Sequence, residues 1–303
     1  MNDQTTATLA QLLEPRLSDA ALDFWQKSQR EVAAGVERSR FSALISMASR
    51  HAKRVPLRLT EAELAACESA KPGWRAQNWN LLELLRVALI CAREDVGEAS
   101  FAEDFESLFV YADEGETCAL YRALALLPAA ERFVWRAGEG CRSNMLSVFS
   151  AIALDNPYPV KHFDDTGWNQ LVIKTLFLEL PLHRIIGLDE RRSAELTRIA
   201  LDLADERESA GRTIAHDLWL CLDSSHAERS LALAERLWPD ADSVTRSAIV
   251  LGLARAEQHT QVQRLAETES DIDVAHAIDA ALGGKFDQAQ FARLVTDKSE
   301  SET

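Results

Sequence analysis

Polar side chains suited to chemistry gather in one stretch of this chain, between residues 129 and 174. Plotted at roughly 100° per residue as a helix, "AAERFVWRAGEGCRSNMLSVFSAIAL" (129–154) places Arg132, Trp135, Glu139 and Arg142 on one stripe with Leu146, Phe149 and Ala153. A lone buried charge is very costly, so charges on an apolar stripe are either paired or line a cleft. Two readings stay open: a Glu139–Arg142 pair closed off by a neighbouring helix, or a ligand-binding cleft to which Asn144 also belongs.

The next segment, "AIALDNPYPVKHF" (151–163), brackets Tyr158 with two prolines. Pro157 and Pro159 fix two φ angles, remove two backbone donors and disfavour the α region at Asn156 and Tyr158, which predicts a stiff, extended elbow. His162, with Lys161 and the carboxylates Asp155, Asp164 and Asp165 near it in sequence, is the best acid/base candidate; the competing reading is a cap or surface histidine. The Asn156 amide either bonds backbone groups left open at the end of helix 129–154 or, with Tyr158, touches a ligand.

The helix after the elbow, "DDTGWNQLVIKTLFLEL", carries Trp168, Leu171, Val172, Thr175 and Leu178 on one side and Asn169, Ile173, Leu176, Phe177 and Leu180 on another. A helix apolar nearly all round is expected to be central. Asn169 sits inside the second apolar face, where it either ties down carbonyls freed by the prolines or binds a ligand, while Gln170 and Lys174 occupy the polar strip between the faces.

The remaining histidines form no H-x-x-x-H or histidine–carboxylate metal spacing, so no metal is expected. A G-x-S-x-G elbow, a phosphate loop and a dinucleotide fingerprint are missing as well, and no cofactor is expected. The five cysteines are odd in number, far apart and never in a C-x-x-C pair, which reads as small core residues rather than a disulfide framework. A formal charge of −15 repels phosphate backbones and anionic lipid surfaces, so nucleic acid is a poor partner. The basic island "ERSRFSALISMASRHAKRVPLR" reads as a core helix with a charged exit in preference to an amphipathic element for an anionic partner. The opening residues show no secretory signal, and "LLELLRVALICA", broken by Glu83 and Arg86, is too short to span a bilayer. No integral membrane segment and a cytoplasmic location are the expectation.

The elements that must position these residues are helices. Apolar residues recur at i, i+3, i+4 and i+7 almost throughout, and sustained alternating runs are missing. The pattern predicts an all-α fold: an antiparallel helical array, an α-α superhelix with a HEAT/ARM-like C-terminal part. Helices are expected near 18–34, 38–50, 60–70, 78–96, 100–112, 115–127, 129–154, 165–180, 189–210 and 213–222. Thr60 with Glu63 forms a capping-box pattern, Gly187 and Gly211 read as helix ends, and Asp189 reads as the next N-cap. From about 224, Ala- and Leu-rich blocks suit paired, stacked helices. The chain divides on this reading into a flexible 1–7, a helical domain over 8–222, a helical-repeat extension over 223–295 and a disordered tail over 296–303.

The R-S-N-M segment, the N-P-Y-P-x-x-H-F elbow, the W-N-Q-x-V-x-K-x-L-F helix, the P-L-x-R-I-x-G-L-x-x-R segment and the D-E-R-x-x-A-G-R helix end together resemble the EboA family of bacterial proteins. The resemblance is strong over about 118–220, weaker upstream around "KPGWRAQNW", and lost after 224. It implies an all-α, repeat-like protein of "ebo" metabolite gene clusters. Their companions look like a UbiA-type membrane prenyltransferase, a TatD-like hydrolase, a dehydroquinate-synthase-like protein and a sugar-isomerase-like barrel; in cyanobacteria such clusters are linked to moving a pigment precursor toward the periplasm. The family defines no reaction and no catalytic residues to carry over.

The expected function is therefore a non-enzymatic helical scaffold or accessory protein for secondary-metabolite biosynthesis or precursor export, whose partners are cluster-encoded proteins or a small-molecule metabolite. The alternative is an enzyme acting on a polar, anionic small molecule between helices 129–154 and 165–180, with Arg142, Asn169 and Lys174 binding and His162 moving a proton.

Overall fold

A computed structural model describes residues 3–301, with side chains over 4–294. Among the described residues there are helices, turns and an isolated antiparallel bridge between Pro56 and Asn80, and no strand, so the all-α expectation holds. The chain forms two compact units, Met1–Asp164 and Asp165–Thr303. The expected division at 222/223 followed sequence texture, whereas compactness follows contacts. Residues 165–222 pack with the helices that come after them: the 3-10 segment His216–Cys221 lies against the helix Ser243–Arg255.

In the first unit the helices are α1 (Asp3–Leu13), α2 (Asp19–Ala33), α3 (Arg38–Met47), α4 (Glu61–Ala70), α5 (Leu81–Cys91) and α6 (Ala99–Leu108). They are followed by α7 (Glu114–Leu124), α8 (Val134–Arg142), α9 (Leu146–Ala153) and α10 (Tyr158–His162). Every residue of α5 is buried, and it packs against α1, α2, α3 and α7. Its two charges are used inside. Glu83 closes a capping box with Asn80 and meets Arg122 at 3.3 Å, and Arg86 reaches Glu116 at 3.3 Å and the Ile45 carbonyl at 3.2 Å. The basic island follows the core-helix reading: Phe41, Leu44 and Ile45 of α3 are buried, and Arg38 and Arg40 are paired with Asp104 and Glu31.

Three expectations change here. Helix α1 starts at Asp3 and buries Thr5 and Thr8, so residues 3–7 belong to the packed helix; the rest of the expected flexible terminus, residues 1–2, lies outside the described residues. The helix expected over 129–154 is three pieces: a 3-10 turn Ala130–Phe133, α8, and α9 after a break at 143–145. Ser143 takes up an extended ψ of 140°, and its hydroxyl accepts the Met145 N–H at 3.1 Å, offering the backbone a local alternative to the helix. The elbow is not extended either. Leu154 leaves the helix, Asp155 turns the chain at φ 54°, and Tyr158 and Pro159 open the short helix α10. Prolines at helix starts cost nothing, because the first N–H groups have no intrahelical acceptor.

The second unit contains α11 (Asp165–Phe177), α12 (Ala194–Ser209), α13 (Ala227–Leu237), α14 (Ser243–Arg255), α15 (His259–Ala266), α16 (Ile272–Leu282) and α17 (Gln288–Ser301). The segment 296–303, expected to be disordered, falls partly in α17 with side chains outside the described residues, and 302–303 are outside entirely. The central helix is α14, buried from Ser247 to Arg255 and packed against α13, α15, α16 and α17. Helix α11 is not buried all round: Gln170 is exposed on the polar strip, and Phe177 of the second apolar stripe is exposed while Ile173 and Leu180 are half-buried. Gly211 ends α12 as expected, with φ 65° and the bond from Arg212 N to Arg207 O that closes a Schellman-type end. Ser193, not Asp189, caps α12, and residues 216–221 form a 3-10 segment where an α-helix was expected.

Two outcomes follow from this packing. A Cβ on Gly252 of α14 would lie 2.6 Å from Trp219 Cε3 and 2.7 Å from Trp219 Cβ, whereas one on Gly97 meets nothing within 4 Å. Gly252→Ala is expected to cost about 1–3 kcal/mol by overpacking and Gly97→Ala to leave the melting temperature close to that of the parent, as read by thermal unfolding. Glu63 takes a fork from Arg16 at 2.7 and 2.9 Å and the Thr60 N–H at 2.8 Å, and these bonds hold its carboxyl down from 4.5 to about 2. A depressed carboxylate stabilises fully above its ordinary value and loses that contribution as pH falls through the folded one. Glu63→Gln is therefore expected to melt lower than the parent near neutral pH, and the difference should close as pH falls from 4.5 to about 2.

Candidate functional site

The elbow residues are built inward. Asn156 is 4% exposed; its Nδ2 donates to Tyr121 O at 3.2 Å and Ala151 O at 2.9 Å, and its Oδ1 accepts the Tyr158 N–H at 3.0 Å. Ala151 is in the last turn of α9, so the amide closes one of the carbonyls a helix end leaves open. Tyr158, 1% exposed, donates its hydroxyl to Ala130 O at 2.6 Å, and burial pushes its ionisation up. Asp155 accepts from Asn78 at 2.8 Å and, at 3.5 Å, from Gln77.

His162 is half-buried with its ring 4.5 Å from that of Tyr158. Burial pushes its proton affinity down and Glu131 pulls it up, while Lys161 and Lys71 add to the downward push. That shift favours the neutral imidazole, which lies tilted against a phenol whose own proton is already committed.

The other sequence candidates are dispersed. Arg132 donates to Gly97 O at 3.1 Å, Glu98 O at 2.8 Å and Val96 O, clamping the backbone between α5 and α6. Glu139 and Arg142 do pair, at 2.6 Å, but on the surface, with Arg142 69% exposed; Trp135 is 65% exposed and Asn144 also faces solvent. Trp135, Glu139 and Arg142 do share a face of α8, but the break at 143–145 separates that face from Leu146, Phe149 and Ala153 on α9. In the second unit Asn169 is buried beside Trp168 on α11, Gln170 is exposed and Lys174 half-buried.

Within the second unit lies a concavity that sequence reading missed, with a volume of about 570 Å³. Its wall is formed by the 187–192 turn, the residues after the 3-10 segment, the end of α14 and Phe286. Arg255, 3% exposed, donates to Asp189 Oδ1 at 2.7 Å, Phe286 O at 2.9 Å and Leu220 O at 2.8 Å, while its Nε finds no acceptor among the described residues. Burial pushes the guanidinium's proton affinity down, and Asp189 works against that. Asp189 Oδ2 accepts the Gln288 N–H at 2.8 Å, and the Gln288 side chain donates to His183 O at 3.1 Å and Ile185 O at 2.6 Å. These partners are far apart in sequence, so no local motif announces them; the one available signal was an Asp beside a turn glycine, which read as a cap.

A family model described as Metabolite traffic protein EboA matches residues 5–223. No curated protein and no solved structure matches the chain. The matched span ends inside the wall of the concavity: Asp189, Arg192 and Asp223 lie within it, and Arg255, Glu257 and Phe286 beyond it.

Asn156→Ala strips three buried backbone groups of their partners, each worth about 1–3 kcal/mol when left unsatisfied. Thermal unfolding of the variant is expected to show a large loss of stability; a melting curve like the parent's would mean that the amide is dispensable to the elbow.

Proposed function

The chain belongs to the EboA family, and from that premise we propose that it is a non-enzymatic accessory protein of an ebo-type metabolite cluster, working in the cytoplasm by holding a cluster-encoded protein or a small-molecule metabolite. The observation that carries this reading is the fate of the elbow. Its amide and its phenol, two of the groups the sequence offers to a ligand, are spent on backbone carbonyls of the fold. A side chain that must keep a carbonyl satisfied is not free to bind or turn over a substrate.

No cluster of three or more His, Cys, Asp or Glu side chains suited to a metal occurs among the described residues. Among the described residues no helix is long and apolar enough to cross a membrane. A helical array presenting open faces, with Phe177 and Trp135 exposed, offers area to a partner.

The test is retrieval. Tagged protein isolated from cells that express the whole cluster is expected to bring down a cluster-encoded protein or the cluster's small-molecule product, and to do so equally with His162→Ala. Monodisperse protein that retrieves neither removes the accessory reading, and a turnover that depends on His162 replaces it with an enzyme.

A further inference from the structure

The concavity of the second unit has the size of a small-molecule site, which spans roughly 300–1,000 Å³. Its chemistry follows from which of its charged groups are already committed. Asp189 is committed twice, to Arg255 and to the Gln288 N–H, so the Asp189–Arg255 pair contributes no net charge to a ligand. Asp223 Oδ1 accepts the Ser225 N–H at 2.9 Å and the Ser225 hydroxyl, and meets no cationic side chain in these bonds. Glu190 and Glu257 are exposed on the rim. Against these three carboxylates stands Arg192, whose Nε makes a 3.4 Å bond to Asp189 O and whose two Nη groups have no partner among the described residues.

Excess negative charge in a concave site favours a cation and repels phosphate esters. The open Nη donors of Arg192 call for acceptor oxygens on the same ligand. We propose that this concavity binds a hydroxylated amine, with its ammonium among Glu190, Asp223 and Glu257 and its hydroxyl oxygens toward Arg192. This names a ligand class for the small-molecule half of the accessory function and rests on that reading.

Glucosamine, glucose and glucose 6-phosphate share one hydroxylated ring and differ in charge, so they isolate the electrostatic claim. Titrated against the full chain by calorimetry, glucosamine is expected to saturate with an affinity at least about tenfold above that of glucose, and glucose 6-phosphate to bind more weakly than either. The double variant Glu190→Gln, Glu257→Gln alters only exposed side chains, and it is expected to melt like the parent while losing the preference for the amine. Any of three results overturns the proposal: no saturation by glucosamine up to about 10 mM, equal affinities across the series, or a preference that survives in the folded double variant. Loss of the site with partner retrieval intact removes this inference alone, whereas failed retrieval removes the accessory reading itself.

Discussion

Short helices have many ends, and the last turn of every α-helix leaves carbonyls with no intrahelical donor. This constraint organises the protein, and arginine answers it. Arg16 reaches Leu12 O in the last turn of α1 and Arg86 reaches Ile45 O in the last turn of α3, and the same device extends to the loop before α6, where Arg132 clamps three successive carbonyls. In the second unit Arg255 holds Leu220 O of the 3-10 segment and Phe286 O of the loop before α17. A planar fork with five donors can hold two or three carbonyls in fixed directions, which a lysine ammonium on a flexible stem does less well. Arginines outnumber lysines several-fold in this chain.

Burying those arginines is costly, and the structure shows how the cost is offset. Burial pushes the proton affinity of Arg86 and Arg255 down, and in each case a carboxylate works against it, Glu116 for the first and Asp189 for the second. A buried pair is weak evidence for net stability, but breaking one leaves an uncompensated charge inside. Arg255 and Asp189 therefore act as a lock. Together with Gln288 they fasten the segment beyond the family match to the P-L-x-R-I-x-G-L turn within it, and they do so at the wall of the concavity.

Local chemistry was legible in the sequence wherever donor and acceptor sit a few residues apart. The Thr60–Glu63 capping box and the Gly211 helix end are of that kind, as is the use of the Asn156 amide on the end of the preceding helix. The break at Ser143 was hidden because the apolar period continues from α8 into α9 in phase, and a hydrophobic stripe cannot report a backbone that leaves the helix for three residues. The elbow was misread for a different reason. Proline rules forbid a helix running through, yet they permit one starting there, and Tyr158–His162 takes the permitted option. The role of Asp189 was out of reach because its partners are Arg255 and Gln288, chosen by packing and not by spacing.

The contrast between elbow and concavity explains why site-like sequence and site-like structure part company here. Polar residues set among apolar ones, such as Asn156 and Tyr158, draw attention in a sequence because their surroundings are wrong for them; the fold resolves that conflict by giving them backbone partners, and the resolution consumes their chemistry. Binding groups are the opposite case. Arg192 and Glu257 look ordinary in sequence, since each lies among other polar residues at an element's edge, and they retain binding capacity because nothing in the fold requires them. A ligand in the concavity would touch residues on both sides of the boundary at 223, so its recognition depends on the extension as much as on the family domain.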